Sequence, residues 1–194
     1  MNDAKAWKLI NAECVVSKED DKDVVRLKPK VEVAKGSSIG LALVEGQEFS
    51  EGTIELDLKG KGKDEASFVG VAFSVADEKT FEAVYFRPFN FMRDDAVART
   101  HAVQYVAWPD HRWEKLRKDT PNKYEMAVKP VPDPAKWFHA RIEVTKSKVS
   151  VWVDDAKDPC LTVDRFDDHK KGQVGLFVDS KEGWFRNVKV QPAK

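Results

Sequence analysis

The stretch TFEAVYFRPFNFMRDD, Thr80 to Asp95, puts five aromatic rings and two arginines into sixteen residues. Period-two alternation separates Val84 and Phe86, which suit a core, from Tyr85 and Arg87 on the opposite face. In the preceding SFVGVAFS, Val69, Val71 and Phe73 form the core set. Phe68, Gly70, Ala72 and Ser74 form the other, and its small residues would let a ligand approach the backbone. The following THAVQYVAWP allows two pairings on that open face, Gln104 with Trp108 or His101 with Tyr105. A sugar is held by flat rings against its C–H faces and by planar polar groups on its hydroxyls. Tyr85, Trp108 and Trp113 could supply the rings, and Arg87, Asn90, Gln104 and Arg117 the hydrogen bonds. These seven residues are the expected ligand-binding set, with Tyr85, Arg87 and Trp108 on one exposed concave face.

Glycoside cleavage by the common route needs two carboxylates facing one bond. Glu82 and Asp94 flank the expected groove, and His101 could carry a proton; these three are the catalytic candidates. Asp95, Asp110 and Glu114 lie nearby without a distinguishing spacing. Glu55 and Asp57, at i and i+2 in GTIELDLKG, point the same way and read as surface charges. The four histidines are scattered, and no G-x-S-x-G, P-loop, H-E-x-x-H or EF-hand pattern occurs. No metal site or cofactor is therefore expected. Whether the chain is an enzyme stays open, with binding ranked first and an interaction or adhesion role third.

Rings and planar groups can only be positioned by a scaffold, and alternation recurs along the chain. GTIELDLKG, SFVGVAFSV, TFEAVYFRPF, THAVQYVAWP, WFHARIEVTK, KVSVWVDD, CLTVDRF, GQVGLFVDS and GWFRNVKVQ read as strands. VVRLKP, VEVAKG and SIGLALVE join them, giving ten to twelve in all. DHRWEKLRKDT offers a turn or two of helix with Asp110 as cap. KPVPDPAKW, with prolines at 130, 132 and 134, is an extended connector. The strand rhythm continues on both sides of it, so one all-β domain over residues 1–194 is expected.

Thirty-three acidic and thirty-three basic residues give a net charge of zero. Phosphate-backbone binding needs a clustered positive field, so a nucleic-acid partner is not expected. No apolar run reaches membrane-spanning length. The N-terminus MNDAKAWKLI lacks a leader's apolar stretch, and a removed leader with an extracytoplasmic chain is the expectation. Cys14 and Cys160 read as two small buried hydrophobes, with a single disulfide as the alternative.

The segments FSEGTIELDLKGKG, SFVGVAFS and FEAVYFRPFNF, then WFHARIEVTKSKVSVWVDD and GQVGLFVDSKEGWFRNVKV, carry a resemblance. The chain resembles the concanavalin A-like lectin/glucanase superfamily, and more narrowly the bacterial laminin-G-like and 3-keto-disaccharide-hydrolase-like domains. The closing Phe185-Arg186-Asn187 after the Gly172–Leu176 strand is part of the pattern. The resemblance spans about Phe49 to Val190. It implies a two-sheet antiparallel jelly-roll β-sandwich with one concave sheet, a carbohydrate ligand, a secreted bacterial setting, and a glycoside hydrolase if the chain is an enzyme. A structural calcium is common in that superfamily, and DDAKDP or DRFDDH could supply its oxygens.

Overall fold

The structure is a computed structural model that describes residues 7–30, 38–166 and 171–193. Fourteen strands form in chain order among these residues. They are β1 (Trp7–Ile10), β2 (Ala12–Glu19), β3 (Lys22–Pro29), β4 (Gly40–Phe49), β5 (Gly52–Lys59), β6 (Phe68–Val75) and β7 (Phe81–Phe86). Then come β8 (Val103–Trp108), β9 (Glu125–Met126), β10 (Phe138–Val144), β11 (Lys148–Val153), β12 (Leu161–Asp164), β13 (Gly172–Asp179) and β14 (Gly183–Pro192). A 3-10 turn (Pro88–Asn90) and helices α1 (Ala96–Thr100) and α2 (Trp113–Asp119) lie between β7 and β9. Two antiparallel seven-stranded sheets result. Sheet A runs β1-β4-β13-β6-β7-β8-β9, and sheet B runs β12-β11-β10-β5-β14-β3-β2. This is the jelly-roll sandwich that the alternation and the resemblance pointed to.

The alternation sets what meets between the sheets. Ile54, Leu56 and Leu58 of β5 and Phe138, Ala140 and Ile142 of β10 are all buried. From sheet A, Phe86 meets Phe138 edge-on at 5.1 Å, and Phe73 stacks on Tyr105. Val69, Val71 and Val84 share that inner face, and burying each such side chain contributes roughly 1.5–3 kcal/mol.

Several local expectations change. Segments β1, β2 and the two-residue β9 carry too few alternating apolar residues to be read as strands, yet they complete the sheet edges. The helix in DHRWEKLRKDT begins at Trp113 with Arg112 in the cap position, so Asp110 is not the cap. Helix α1, which the sequence reading passed over, is capped by Asp95, whose carboxylate accepts from Val97 N. The expected strand VEVAKG and the end of DRFDDH fall on residues 31–37 and 167–170, outside the described residues. Cys14 is on β2 and Cys160 immediately precedes β12, strands at opposite edges of sheet B. Six strand spacings, about 29 Å, separate those edges, so the disulfide alternative fails. Both cysteines are free, and burial pushes the Cys160 thiol up to about 11.

Candidate functional site

Strand register places the site. One transverse row across sheet A reads Phe177 (β13), Gly70 (β6), Tyr85 (β7), Gln104 (β8) and Glu125 (β9). Phe86 and Tyr105, one residue away on their strands, point to sheet B, so this row points away from it. Gln104 and Trp108 therefore share a face with Tyr85, and Tyr105 belongs to the inner face. Gly70 makes the row possible. A Cβ there would sit 2.1 Å from Val84 O and 2.6 Å from Tyr85 Cα. With no side chain between them, the Tyr85 and Phe177 rings lean together over Gly70 and stack at 5.3 Å.

The expected exposed floor is not exposed. Tyr85 is 4 %, Arg87 5 %, Asn90 6 % and Gln104 0 % exposed. The rings of the face fill it themselves: Phe68 packs edge-on against Tyr85, Phe81 lies against Phe177, and Trp108 stacks on Phe81. Ser74 also leaves the floor. Its φ of 51° sits where the β6–β13 register shifts, and its hydroxyl accepts from Arg165 on the inner side.

Burial of so many polar groups is tolerated because most of them satisfy one another. Arg87 donates from Nη2 to Gln104 Oε1 at 2.6 Å and to Tyr85 OH at 3.1 Å, and from Nη1 to His101 O at 2.8 Å. Asn90 Nδ2 reaches the same carbonyl at 3.4 Å. Beside them lies Glu125, which sequence reasoning missed because a two-residue edge strand leaves no periodic signal. Arg117 grips its two oxygens in a fork, at 2.8 and 2.6 Å. That contact raises the pKa of Arg117. His101 Nδ1 lies 2.9 Å from Glu125 Oε2, close enough for an ion pair yet without regular hydrogen-bond geometry. Burial, together with Arg117 and Arg87, holds His101 below its ordinary value despite Glu125. The imidazole is thus neutral near pH 7. Burial also pushes Tyr85 up to about 12, so its hydroxyl keeps its proton.

The cluster reaches solvent through its rim. Arg117 lies over the Trp113 ring at 4.8 Å, and Trp113 is 39 % exposed. Arg112 covers the half-buried Trp108 ring at 4.0 Å. Of the seven expected ligand residues, Tyr85, Arg87, Asn90 and Gln104 are buried, Arg117 and Trp113 border them, and Trp108 lies four residues farther along β8 against Phe81 and Arg112.

The catalytic candidates separate. His101 joins the cluster. Asp94 is exposed in the loop before α1. Glu82 faces sheet B, fully buried, gripped by Arg165 and accepting from Tyr105 OH at 2.5 Å. It therefore does not flank the open face. On the outer face of sheet B, Asp57 is more than a surface charge. His139 Nδ1 approaches it at 2.8 Å, and Asn187 and Arg186 donate to it at 2.7 and 3.2 Å. Burial pushes its carboxyl up, but these contacts outweigh that and hold it below the usual range. The Phe-Arg-Asn step is explained: Phe185 enters the core, and Asn187, at φ 55°, turns its amide back to Asp57. No group of His, Cys, Asp and Glu among the described residues is arranged to hold a metal ion.

Solved structures share the architecture. The carbohydrate binding module CBM66 from Bacillus subtilis superposes with TM-score 0.62 at 15 % identity, covering 96 % of this chain and 95 % of its own. A putative glycosyl hydrolase from Parabacteroides distasonis gives 0.58 at 14 %, over 98 % and 89 %. The exoplasmic/lumenal domain of VIP36, in its Ca2+/Man3GlcNAc-bound form, gives 0.56 at 10 %, over 97 % and 84 %. At such identities the likeness is one of fold. No curated protein matches the chain. The model of one family matches residues 2–191, nearly the whole sequence, and the chain belongs to that family, the 3-keto-alpha-glucoside-1,2-lyase-like domain.

Proposed function

We propose that the chain binds a carbohydrate on the outer face of sheet A, at the rim formed by His101, Trp108, Trp113 and Arg117. The observation that carries this reading is the unbroken series of contacts from the exposed Trp113 ring through Arg117, Glu125 and Arg87 to Tyr85. It combines a half-exposed ring with a preorganised planar donor, the two elements that sugar recognition uses. The carbohydrate binding module CBM66 and the Man3GlcNAc-bound domain of VIP36, on the same fold, support it. A glycan array with the wild type and Trp113→Ala tests it. Binding that falls at least tenfold in the variant is expected. No binding of any glycan by the wild type refutes it.

One observation favours a second reading, an elimination enzyme. A neutral His101 stands against the Glu125 carboxylate, with Arg87 and Gln104 as donors beside it. A 1,2-lyase acting on a 3-keto glucoside takes the C2 proton, which is acidified by the ketone, and expels the group at C1. A neutral imidazole suits the first task and cationic or amide donors suit the enolate oxygen. Release of the aglycone from a 3-keto-α-glucoside, lost in His101→Gln, would support it; no release by the wild type would refute it. Two-carboxylate hydrolysis has less support. The strand carboxylates of this face, Glu125 on β9 and Asp179 on β13, are four strands apart, about 19 Å.

A further inference from the structure

A separate concavity lies round the β9 edge of sheet A from the rim. Met126, Ala127 and Pro130 line it on one side, and Ala156, Pro159 and Cys160, from the turn between β11 and β12, line it on the other. The cleft holds about 570 Å³, inside the range of roughly 300–1,000 Å³ that small-molecule sites occupy. All six side chains are apolar in character, since burial keeps the Cys160 thiol protonated. Lys129, Lys157 and Asp158 complete the lining and are exposed, so their charges stay in water.

The walls are built to stay open. Proline has no N–H to give to a strand ladder, so Pro130 and Pro159 keep the two segments from zipping together. Alanine and proline lose almost no side-chain freedom when covered, so an apolar group meets preorganised walls. Met126, 39 % exposed, is the adaptable element among them. A second observation ties the cleft to the rim. Met126 directly follows Glu125 on the two-residue strand β9, so the acid of the cluster and the wall of the cleft are consecutive residues on opposite sides of one edge. Among the described residues seven large apolar side chains are exposed. Five of them, Met92, Val97, Trp113, Met126 and Val131, come from the run between β7 and β10 that builds both places. A bare sugar has no use for so apolar a margin.

We propose that the ligand is a glycoside with an apolar aglycone, and that this aglycone passes round β9 into the cleft between Met126 and Cys160. This rests on the carbohydrate reading and narrows it. Burial of about two methylene groups suffices for a tenfold gain in affinity.

Isothermal titration with methyl α-D-glucoside and with n-hexyl α-D-glucoside tests the affinity, and the rate at which DTNB modifies Cys160 reports on the cleft itself. A Cys14→Ser background leaves Cys160 as the one thiol. The expected result is hexyl glucoside binding at least about tenfold tighter than methyl glucoside. Saturating hexyl glucoside should also slow the modification of Cys160, which methyl glucoside should not. Ala156→Trp, which fills the cleft from the turn, should abolish both effects with an unchanged melting temperature; the two comparisons without it decide the matter should it fail to fold. Equal binding of the two glucosides, or Cys160 modified as fast under saturating hexyl glucoside, overturns the inference and leaves the carbohydrate reading standing. A hexyl preference that survives in folded Ala156→Trp also overturns it. Absence of binding by both glucosides overturns it too, and the glycan array then decides the broader reading separately.

Discussion

Replacing Arg165 by methionine isolates an ion pair buried between the sheets, that of Arg165 with Glu82. Glu82 is 0 % exposed, and the Arg165 side chain is 6 % exposed, with Nη2 2.7 Å from Oε1. At that distance the gross attraction is about 6 kcal/mol at an effective dielectric constant of 20. Desolvation of both ions offsets most of it, so the pair adds little over a well-packed apolar pair. The single substitution is another matter. It leaves the Glu82 carboxylate in the core with only Tyr105 OH, and it strips Arg165's bonds to Ser50 O and Thr145 O. A stranded buried charge costs about 3–5 kcal/mol. That is a large part of the roughly 5–15 kcal/mol that holds a domain together, and it lowers the melting temperature by roughly 10 °C at this chain length.

Urea denaturation of wild type, Arg165→Met, Glu82→Met and the double variant closes a double-mutant cycle. The double variant should lose less than the sum of the singles by at least about 2 kcal/mol, because neither partner is then left alone. Additive losses, or a single Arg165→Met loss below about 1 kcal/mol, would refute the account. The cycle also separates structure from chemistry. Glu82 cannot meet a ligand on the outer face of sheet A, so Glu82→Met should alter glycan binding only as far as it unfolds the protein.

Three further outcomes follow from the site. Gly70→Ala should destabilise the chain by about 1–3 kcal/mol or more in urea, because its Cβ would meet Val84 O at 2.1 Å and neither backbone can yield; a neutral result would mean that β6 and β7 lie farther apart. In NMR titration the His101 imidazole should protonate below its ordinary value of 6.5, and Arg117→Gln should bring it up by removing a neighbouring cation. Since the folded-state value is the lower one, the unfolded chain binds that proton first, and stability should fall as pH drops below 6.5; a value at or above 6.5 would overturn the neutral-imidazole argument. Asp57 has the depressed carboxylate, so its contribution is present above the unfolded value of about 3.8 and is lost as pH falls through the folded one. Asp57→Asn should therefore flatten the acid limb of the stability curve measured by thermal melts between neutral pH and pH 2, and an unchanged limb would refute this.

How far the sequence could be read depends on which kind of pattern each residue belongs to. Alternation is a local signal, so it separated Val84 and Phe86 from Tyr85 correctly and gave the all-β class, while the two-sheet arrangement came from the resemblance. It says which face a side chain takes, not what covers that face. Tyr85, Arg87 and Gln104 were placed together, yet their burial depends on Phe177, about ninety residues away along the chain, leaning over Gly70. The same limit hid Glu125. Two residues cannot display a period, and only the β8–β9 pairing brings that carboxylate beside Gln104. Ser74 was misplaced for a related reason: a bulge shifts the parity of a strand, and the φ of 51° that produces it has no glycine or asparagine to announce it. The arginine standing among rings at position 87 looked anomalous in the sequence because its partners, His101, Gln104 and Glu125, arrive from three later segments.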